Sequence, residues 1–180
     1  HDIGQQLGMR AHETFRGSFF RPNLHLSAYR KGDDGPRVRD RIARLVRSRR
    51  DQSGIVYCLS RRSTEQTADY LRERGVRALA YHAGMEPRER TRVQDAFRCD
   101  DADVVVATIA FGMGIDKSNV RFVIHRDMPR SIEAYYQEVG RAGRDGVDSD
   151  CVLFYSWADV ANYDRLFELN METTPEVLQQ

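Results

Sequence analysis

The chain has 180 residues, 41% of them hydrophobic and 31% charged. That length suits one domain with a proper core. No run of about 18 apolar residues exists to cross a bilayer, and the apolar content is too high for a disordered chain. With 28 basic and 27 acidic side chains the net charge is +1, which excludes a uniformly basic nucleic-acid coat but leaves room for a local patch.

Residues 24–29 alternate in polarity and read as a strand. Pro36 can open a helix, and Val38, Ile42, Leu45 and Val46 then share one face to about Arg50, with arginines opposite. The unbroken apolar run 55–59 suits a strand buried on both faces. Ser63 is a fair N-cap for a helix over about 64–74 that stops at Gly75. A short strand follows at 76–81, then a helix with Pro87 in its first turn and Val93, Ala96 and Phe97 inward. Strands at 103–108 and 120–125 come next. Pro129 and Ser131 open a helix with Ile132, Tyr135, Tyr136 and Val139, and a strand at 151–155 and a helix over 157–169 close the series. The tail after Asn170 has no assignment. Alternating strands and helices imply crossover units, and so an α/β fold with a mainly parallel sheet.

Charge is unevenly spread. Residues 21–50 carry ten basic and three acidic side chains, whereas 151–180 carry one and five. An Arg-rich solvated helix explains this as simply as a polyanion-steering face does. Cys58, Cys99 and Cys151 are far apart and form no C-x-x-C pair, so neither a disulfide framework nor a zinc site is expected. Cys58 and Cys151 read as core residues. Residues 1–10 lack the apolar stretch of a signal peptide, so the cytoplasm, a bacterial cytoplasm or nucleoid, is the expected compartment. A chain that opens on His1 reads as part of a longer one.

A parallel sheet puts its ligand sites beyond the carboxyl ends of its strands. Ser60-Arg61-Arg62, the run from Thr108 to Asp116 and His125-Arg126-Asp127 all fall there. The segment from Tyr136 to Gly146 is more unusual. If the helix from Ser131 continues, Gln137, Arg141 and Arg144 lie on one face, and two guanidiniums at that spacing suit a di- or triphosphate. Glycines inside such a helix cost about 1 kcal/mol each, which implies something packed close to the backbone. The alternative is a solvated helix end with favourable cations and Gly146 as its stop. No phosphate cradle accompanies these arginines: the chain has no Gly-Lys pair, no Asp-Glu pair and no complete dinucleotide fingerprint. It reads as half of a site.

These residues resemble a family. The chain is similar to the second RecA-like lobe of RecQ-type DNA helicases, within helicase superfamily two, from about Phe20 to about Asp159. Residues 55–61 look like motif IV, and Tyr81-His82-Ala83-Gly84-Met85 like the turn that follows it. Residues 106–117 look like motif V and 137–146 like motif VI. The resemblance implies a three-layer RecA-like α/β lobe over 20–170. Residues 1–19 would be the end of a first lobe and the linker, and 171–180 a tail or the start of a further region.

It also implies roles. ATP would lie between two lobes, its Mg2+ held by the first. Arg144 would be the arginine finger, with Arg141 beside it on the phosphates. Gln137, Asp116 and Gly114 would contact ATP. Ser60, Arg61, His82, Gly84 and Thr108 would contact single-stranded or unwinding duplex DNA, whereas Asp127 and Arg130 read as structural. The implied activity is 3′–5′ unwinding in repair and recombination, with the chain inactive as an ATPase alone. Two other readings stay open: a non-catalytic scaffold lobe, and an RNA helicase lobe of the DEAD-box kind.

Overall fold

A computed structural model describes residues 8, 20–32, 37–108, 111 and 117–161. In chain order the elements are β1 (Leu24–Arg30), α1 (Val38–Ser48), β2 (Ser53–Tyr57), α2 (Arg61–Arg72), β3 (Ala78–Tyr81), α3 (Pro87–Arg98), β4 (Val104–Ala107), β5 (Val120–His125), α4 (Ile132–Val139) and β6 (Ser149–Tyr155). The strands form one sheet in the order β1-β6-β5-β2-β4-β3. Every neighbouring pair is parallel.

Handedness distributes the helices. The connections β1-α1-β2 and β2-α2-β3 advance along the sheet in one direction, whereas β3-α3-β4 and β5-α4-β6 run back. Right-handed crossovers therefore put α1 and α2 on one face and α3 and α4 on the other. The packing agrees. Ile42, Val46, Ala68 and Leu71 meet Val56, Val104, Val106, Ile124 and Phe154. Val93, Phe97 and Val139 meet Ile55, Val105, Val123 and Cys151 on the opposite face. Alternate residues of one strand serve different cores, so the strands read as continuous apolar runs. Phe97, Phe111 and Phe154 are fully buried, worth about 1.5–3 kcal/mol each.

Several boundaries differ from the sequence reading. The strand expected over 55–59 runs Ser53–Tyr57. It begins early because Gly54 lets the Phe122 ring lie against its backbone, where any Cβ would collide, beside a register shift in the β2–β5 ladder. The second helix is capped by Ser60 rather than Ser63. The Ser60 hydroxyl accepts from the Ser63 N–H at 3.1 Å, and the Ser63 hydroxyl closes a reciprocal box onto the Ser60 N–H at 3.3 Å.

The helix from Ser131 does not continue through Arg144. It ends at Val139, with Gly140 as its cap, and the chain turns at Gly143, where φ is +54°. The expected i, i+4, i+7 face therefore does not form. What lies close to the backbone there is the protein itself: a Cβ on Gly143 would come within 2.5 Å of Asn23 Nδ2 and 2.7 Å of the Val147 carbonyl.

Cys58 and Cys151 are buried and Cys99 exposed. Burial pushes the Cys58 thiol up to about 11 and the Cys151 thiol up to about 12. Among the described residues no helix is long and apolar enough to cross a membrane. The last expected helix is helical over 157–161, and its remainder to 169 lies outside the described residues, as do Pro36 and most of 1–19.

Candidate functional site

The expected site residues fall into two groups. The first lies on the turns that leave β2, β4 and β3, which are neighbours in the sheet. Ser60 ends the first turn and starts α2, its hydroxyl occupied by the cap. Arg61 follows and folds over the next turn but one. A Cβ on Gly84 would sit 2.8 Å from Arg61 Nη1 and 3.1 Å from its Cδ and Cζ, so the Arg61 side chain lies against the Gly84 backbone.

His82 is 6% exposed, and its Nε2 is 3.0 Å from Glu65 Oε1 on α2. Its backbone N–H points to Met85 Sδ at 3.4 Å. Arg61 over Gly84 and Glu65 against His82 thus clip two turns together. Thr108 stands between them in the sheet order. Its N–H donates to the Tyr81 carbonyl at 3.2 Å, and its own carbonyl accepts from the Phe111 N–H at 3.1 Å. The fold therefore assembles Ser60, Arg61, His82, Gly84 and Thr108 on one rim. The His82 ring is packed beneath it rather than displayed on it.

The second group lies after α4. Ser131 caps this helix, its hydroxyl accepting from the Ala134 N–H at 3.1 Å. Gln137 is exposed, Arg141 half-buried and Arg144 exposed. The turn that carries both arginines is held from afar. Arg21 Nη1 donates to the Gly140 carbonyl at 3.1 Å, and its other nitrogen donates to the Gly143 carbonyl. Asn23 Nδ2 donates to the Gly143 carbonyl at 2.9 Å and to the Val147 carbonyl at 3.1 Å. The Gly143 N–H donates to the Val120 carbonyl at 2.8 Å. Asp145 pairs with Arg121, whose hydrogen bond holds that carboxyl below its usual range. The arginines thus stand on a braced turn, not on a helix.

Between the groups lies a buried polar cluster that the sequence reading left without a role. His125, at the carboxyl end of β5, has Nε2 2.7 Å from Glu138 Oε2 on α4, with side chains 1% and 7% exposed. Tyr57, the last residue of β2, stacks on His125 at 5.2 Å, and Tyr135 packs on the same ring at 5.0 Å. The Tyr57 hydroxyl donates to the Phe111 carbonyl at 3.1 Å. Burial pushes this phenol above its ordinary range, opposed chiefly by the charge of Arg141. Motif VI is the only sequence signal for Glu138. Nothing local marks Tyr57, which looks like one more core aromatic.

Asp127 accepts from Lys31 at 3.0 Å and from the Leu59 N–H at 3.1 Å. Arg126 binds the Ser63 carbonyl at 3.1 Å and the Thr67 hydroxyl at 2.8 Å, anchoring the start of α2 to β5. Gly114 and Asp116 lie outside the described residues. The described groups suit phosphate oxygens: two guanidiniums on a fixed turn, and a capped helix N-terminus beside Arg61.

Known proteins are similar to this chain in sequence and fold. The family described as helicase conserved C-terminal domain matches residues 37–146. The ATP-dependent DNA helicase RecQ of Pasteurella multocida is 51% identical over 160 residues, covering 89% of this chain and 25% of that protein. The chain spans about a quarter of the length of the curated relatives it matches. Among solved structures, the Mycobacterium smegmatis helicase Lhr bound to single-stranded DNA and AMP-PNP aligns with a TM-score of 0.63 at 31% identity, over 73% of this chain and 19% of that one. The Escherichia coli DEAD-box protein SrmB aligns with a TM-score of 0.67 at 25% identity, over 76% and 79%.

Proposed function

Since the chain belongs to the helicase conserved C-terminal domain family and is the C-terminal, RecA-like lobe of the RecQ type, we propose that it is the second motor lobe of an ATP-dependent 3′–5′ DNA helicase acting in repair and recombination. The lobe runs over 20–170, with residues 1–19 as the end of a first lobe and the linker, and 171–180 as a tail or the start of a further region. The first lobe supplies the phosphate cradle and holds Mg2+. This chain closes over the nucleotide from the other side.

The observation that carries this reading is the braced turn. Arg144 projects from it exposed and Arg141 half-buried, while Arg21, Asn23 and Val120 fix its backbone. A cation held in place before reaction stabilises developing phosphoryl charge without reorganisation. Arg144 acts as the arginine finger, Arg141 supports the phosphates, and Gln137 reads the nucleotide together with Gly114 and Asp116. Ile132 and Tyr136, one helical turn apart beside Gln137, are 73% and 50% exposed, an apolar surface suited to the first lobe.

Single-stranded DNA crosses the rim of Ser60, Arg61, Gly84 and Thr108. Backbone N–H groups at the start of α2 and the Arg61 guanidinium meet its phosphates, and His82 supports that rim from below. ATP closure and release then shift this lobe along the strand.

The test uses the full-length polypeptide. Arg144→Ala lowers DNA-stimulated ATP turnover by about 10³-fold or more while ATP binding persists. Turnover within about tenfold of wild type removes the finger assignment. The chain by itself turns over no ATP, and measurable turnover by it would overturn the half-site reading. A scaffold lobe predicts that Arg144→Ala leaves every activity of the full-length protein unchanged.

A further inference from the structure

The arginines of α1 fall into two sets. Arg41 lies 5.0 Å over the Tyr29 ring and 4.9 Å over the Phe154 ring, and it donates to the Arg30 carbonyl at 3.2 Å. Arg39 lies 4.7 Å from the centre of the Tyr70 ring, and Arg49 pairs with Asp150. These hold the helix in place. Arg44, Arg47 and Arg50 are exposed and make no hydrogen bond, ion pair or ring contact among the described residues.

The second set lines a groove between α1 and α2. One hollow of about 500 Å³ is bounded by Arg44, Arg47 and Arg74 with Asp40 and Tyr70. The next, of about 320 Å³, is bounded by Arg47, Arg50, Arg74 and Arg77 with Asp51 and Asp103. Arg47 and Arg74 belong to both, so the hollows adjoin. Arg74 is fixed, its guanidinium 3.4 Å from the centre of the Tyr70 ring and bonded to the Tyr70 carbonyl at 3.1 Å. Asp40 accepts from the Tyr70 hydroxyl, and Asp103 accepts from two nitrogens of Arg77. Glu73, beside the groove, is 3.6 Å from Arg74. Of the lining carboxylates, Asp51 alone has no hydrogen bond or ion pair among the described residues.

The helix dipole favours a cation at Arg47. It does not account for Arg74 and Arg77, which a separate segment brings to the same groove. Guanidiniums gathered in this way repel one another until an anion lies among them. At helical rise, Arg44 to Arg50 spans about 9 Å, over which one strand of a DNA duplex carries about three phosphates. The groove is also far from the rim. Asp51, Arg77 and Asp103 stand just before β2, β3 and β4, and β2 alone separates these amino ends from the carboxyl ends by roughly 15 Å.

We propose that the groove between α1 and α2 is a second DNA-phosphate site, in which Arg44, Arg47 and Arg50, with Arg74 opposite, hold DNA beyond the strand on the rim. This rests on the reading of the chain as a DNA-helicase lobe. The DNA is the unopened duplex or a strand already separated, which offer the same phosphate oxygens to bidentate guanidiniums.

The experiment measures binding by the full-length protein across a range of salt. The probes are a single strand of about ten nucleotides, one of about forty, and a duplex with a tail of about ten. The triple variant Arg44→Gln, Arg47→Gln, Arg50→Gln weakens at least one of the two extended DNAs by about tenfold or more. It lowers the slope of log affinity against log salt for that DNA by about two to three. Loss on the tailed duplex identifies the unopened duplex as the ligand, and loss on the long strand identifies the separated strand. The short strand is held within about twofold of wild type. Asp51→Asn removes the unengaged carboxylate and tightens the same extended DNA about two- to threefold. Asparagine tolerates the φ of 63° at that position, and a gain of binding does not come from misfolding.

Affinities of the triple variant within about twofold of wild type on both extended DNAs overturn the site and leave the groove to a carboxylate-rich protein segment. An equal loss on all three DNAs overturns it too, because the arginines then act on the rim or on the whole fold. If the triple variant does not fold, unchanged binding by Asp51→Asn overturns it instead. Failure of the premise looks different: wild-type protein that binds none of the three DNAs removes the DNA-helicase reading itself.

Discussion

The rim and the arginine turn, two regions proposed to meet phosphates, are held in different ways. The contacts that hold the rim span fewer residues than the reach of Arg21 and Asn23 to the turn. Ser60 and Ser63 cap one helix three residues apart, Glu65 reaches His82 across 17 residues, and Arg126 reaches the Ser63 carbonyl across 63. The arginine turn is held by residues 119 to 124 positions away, Arg21 and Asn23 reaching from the start of β1 to the Gly140, Gly143 and Val147 carbonyls. Long-range capture of backbone carbonyls builds a mount whose geometry belongs to the whole sheet.

That contrast can be broken most forcefully at Gly143. Gly143→Ala puts a Cβ within 2.5–2.8 Å of Asn23, Val147 and Ser149 at a φ of +54°. The expected loss of stability is about 3 kcal/mol, from left-handed backbone strain and overlap together. Urea unfolding of the chain reads it, and a loss below about 1 kcal/mol means the turn is not a rigid mount. The neighbouring Gly146, also at positive φ, has nothing within 4 Å of an added Cβ. Gly146→Ala therefore pays only for the backbone, about 1–2 kcal/mol.

The rim is expected to respond more mildly. Ser60→Ala removes the cap and costs about 1 kcal/mol of stability, again by urea midpoint. Smallest in stability is Arg61→Ala. Arg61 is exposed, so the midpoint moves by less than about 0.5 kcal/mol, while the salt dependence of single-strand binding by the full-length protein falls by about one charge. An unchanged salt slope would leave Arg61 as a cover for Gly84 and nothing more.

Much of this molecule was legible in the chain. The strand expected over 120–125 is β5, on those same residues, with only Arg121 less than buried. Legibility failed where competing local signals were equal. Ser60 and Ser63 are both good caps, and only the end of β2, set by its pairing with β4 and β5, puts Ser60 at the helix start. It failed again at Gly140 and Gly143, where a helical reading of the spacing ignored that carbonyls can be claimed from outside.

Composition and order therefore determined the class of fold, the identity of the motifs and the polarity of the sheet that gathers them, because burial periodicity and crossover handedness are properties of short segments. Only the tertiary structure decided that Arg141 and Arg144 sit on a braced turn, that His82 is packed beneath the rim and that Tyr57 stacks on His125. Those outcomes depend on hydrogen bonds and ring contacts between residues dozens of positions apart, and no local pattern encodes such partners.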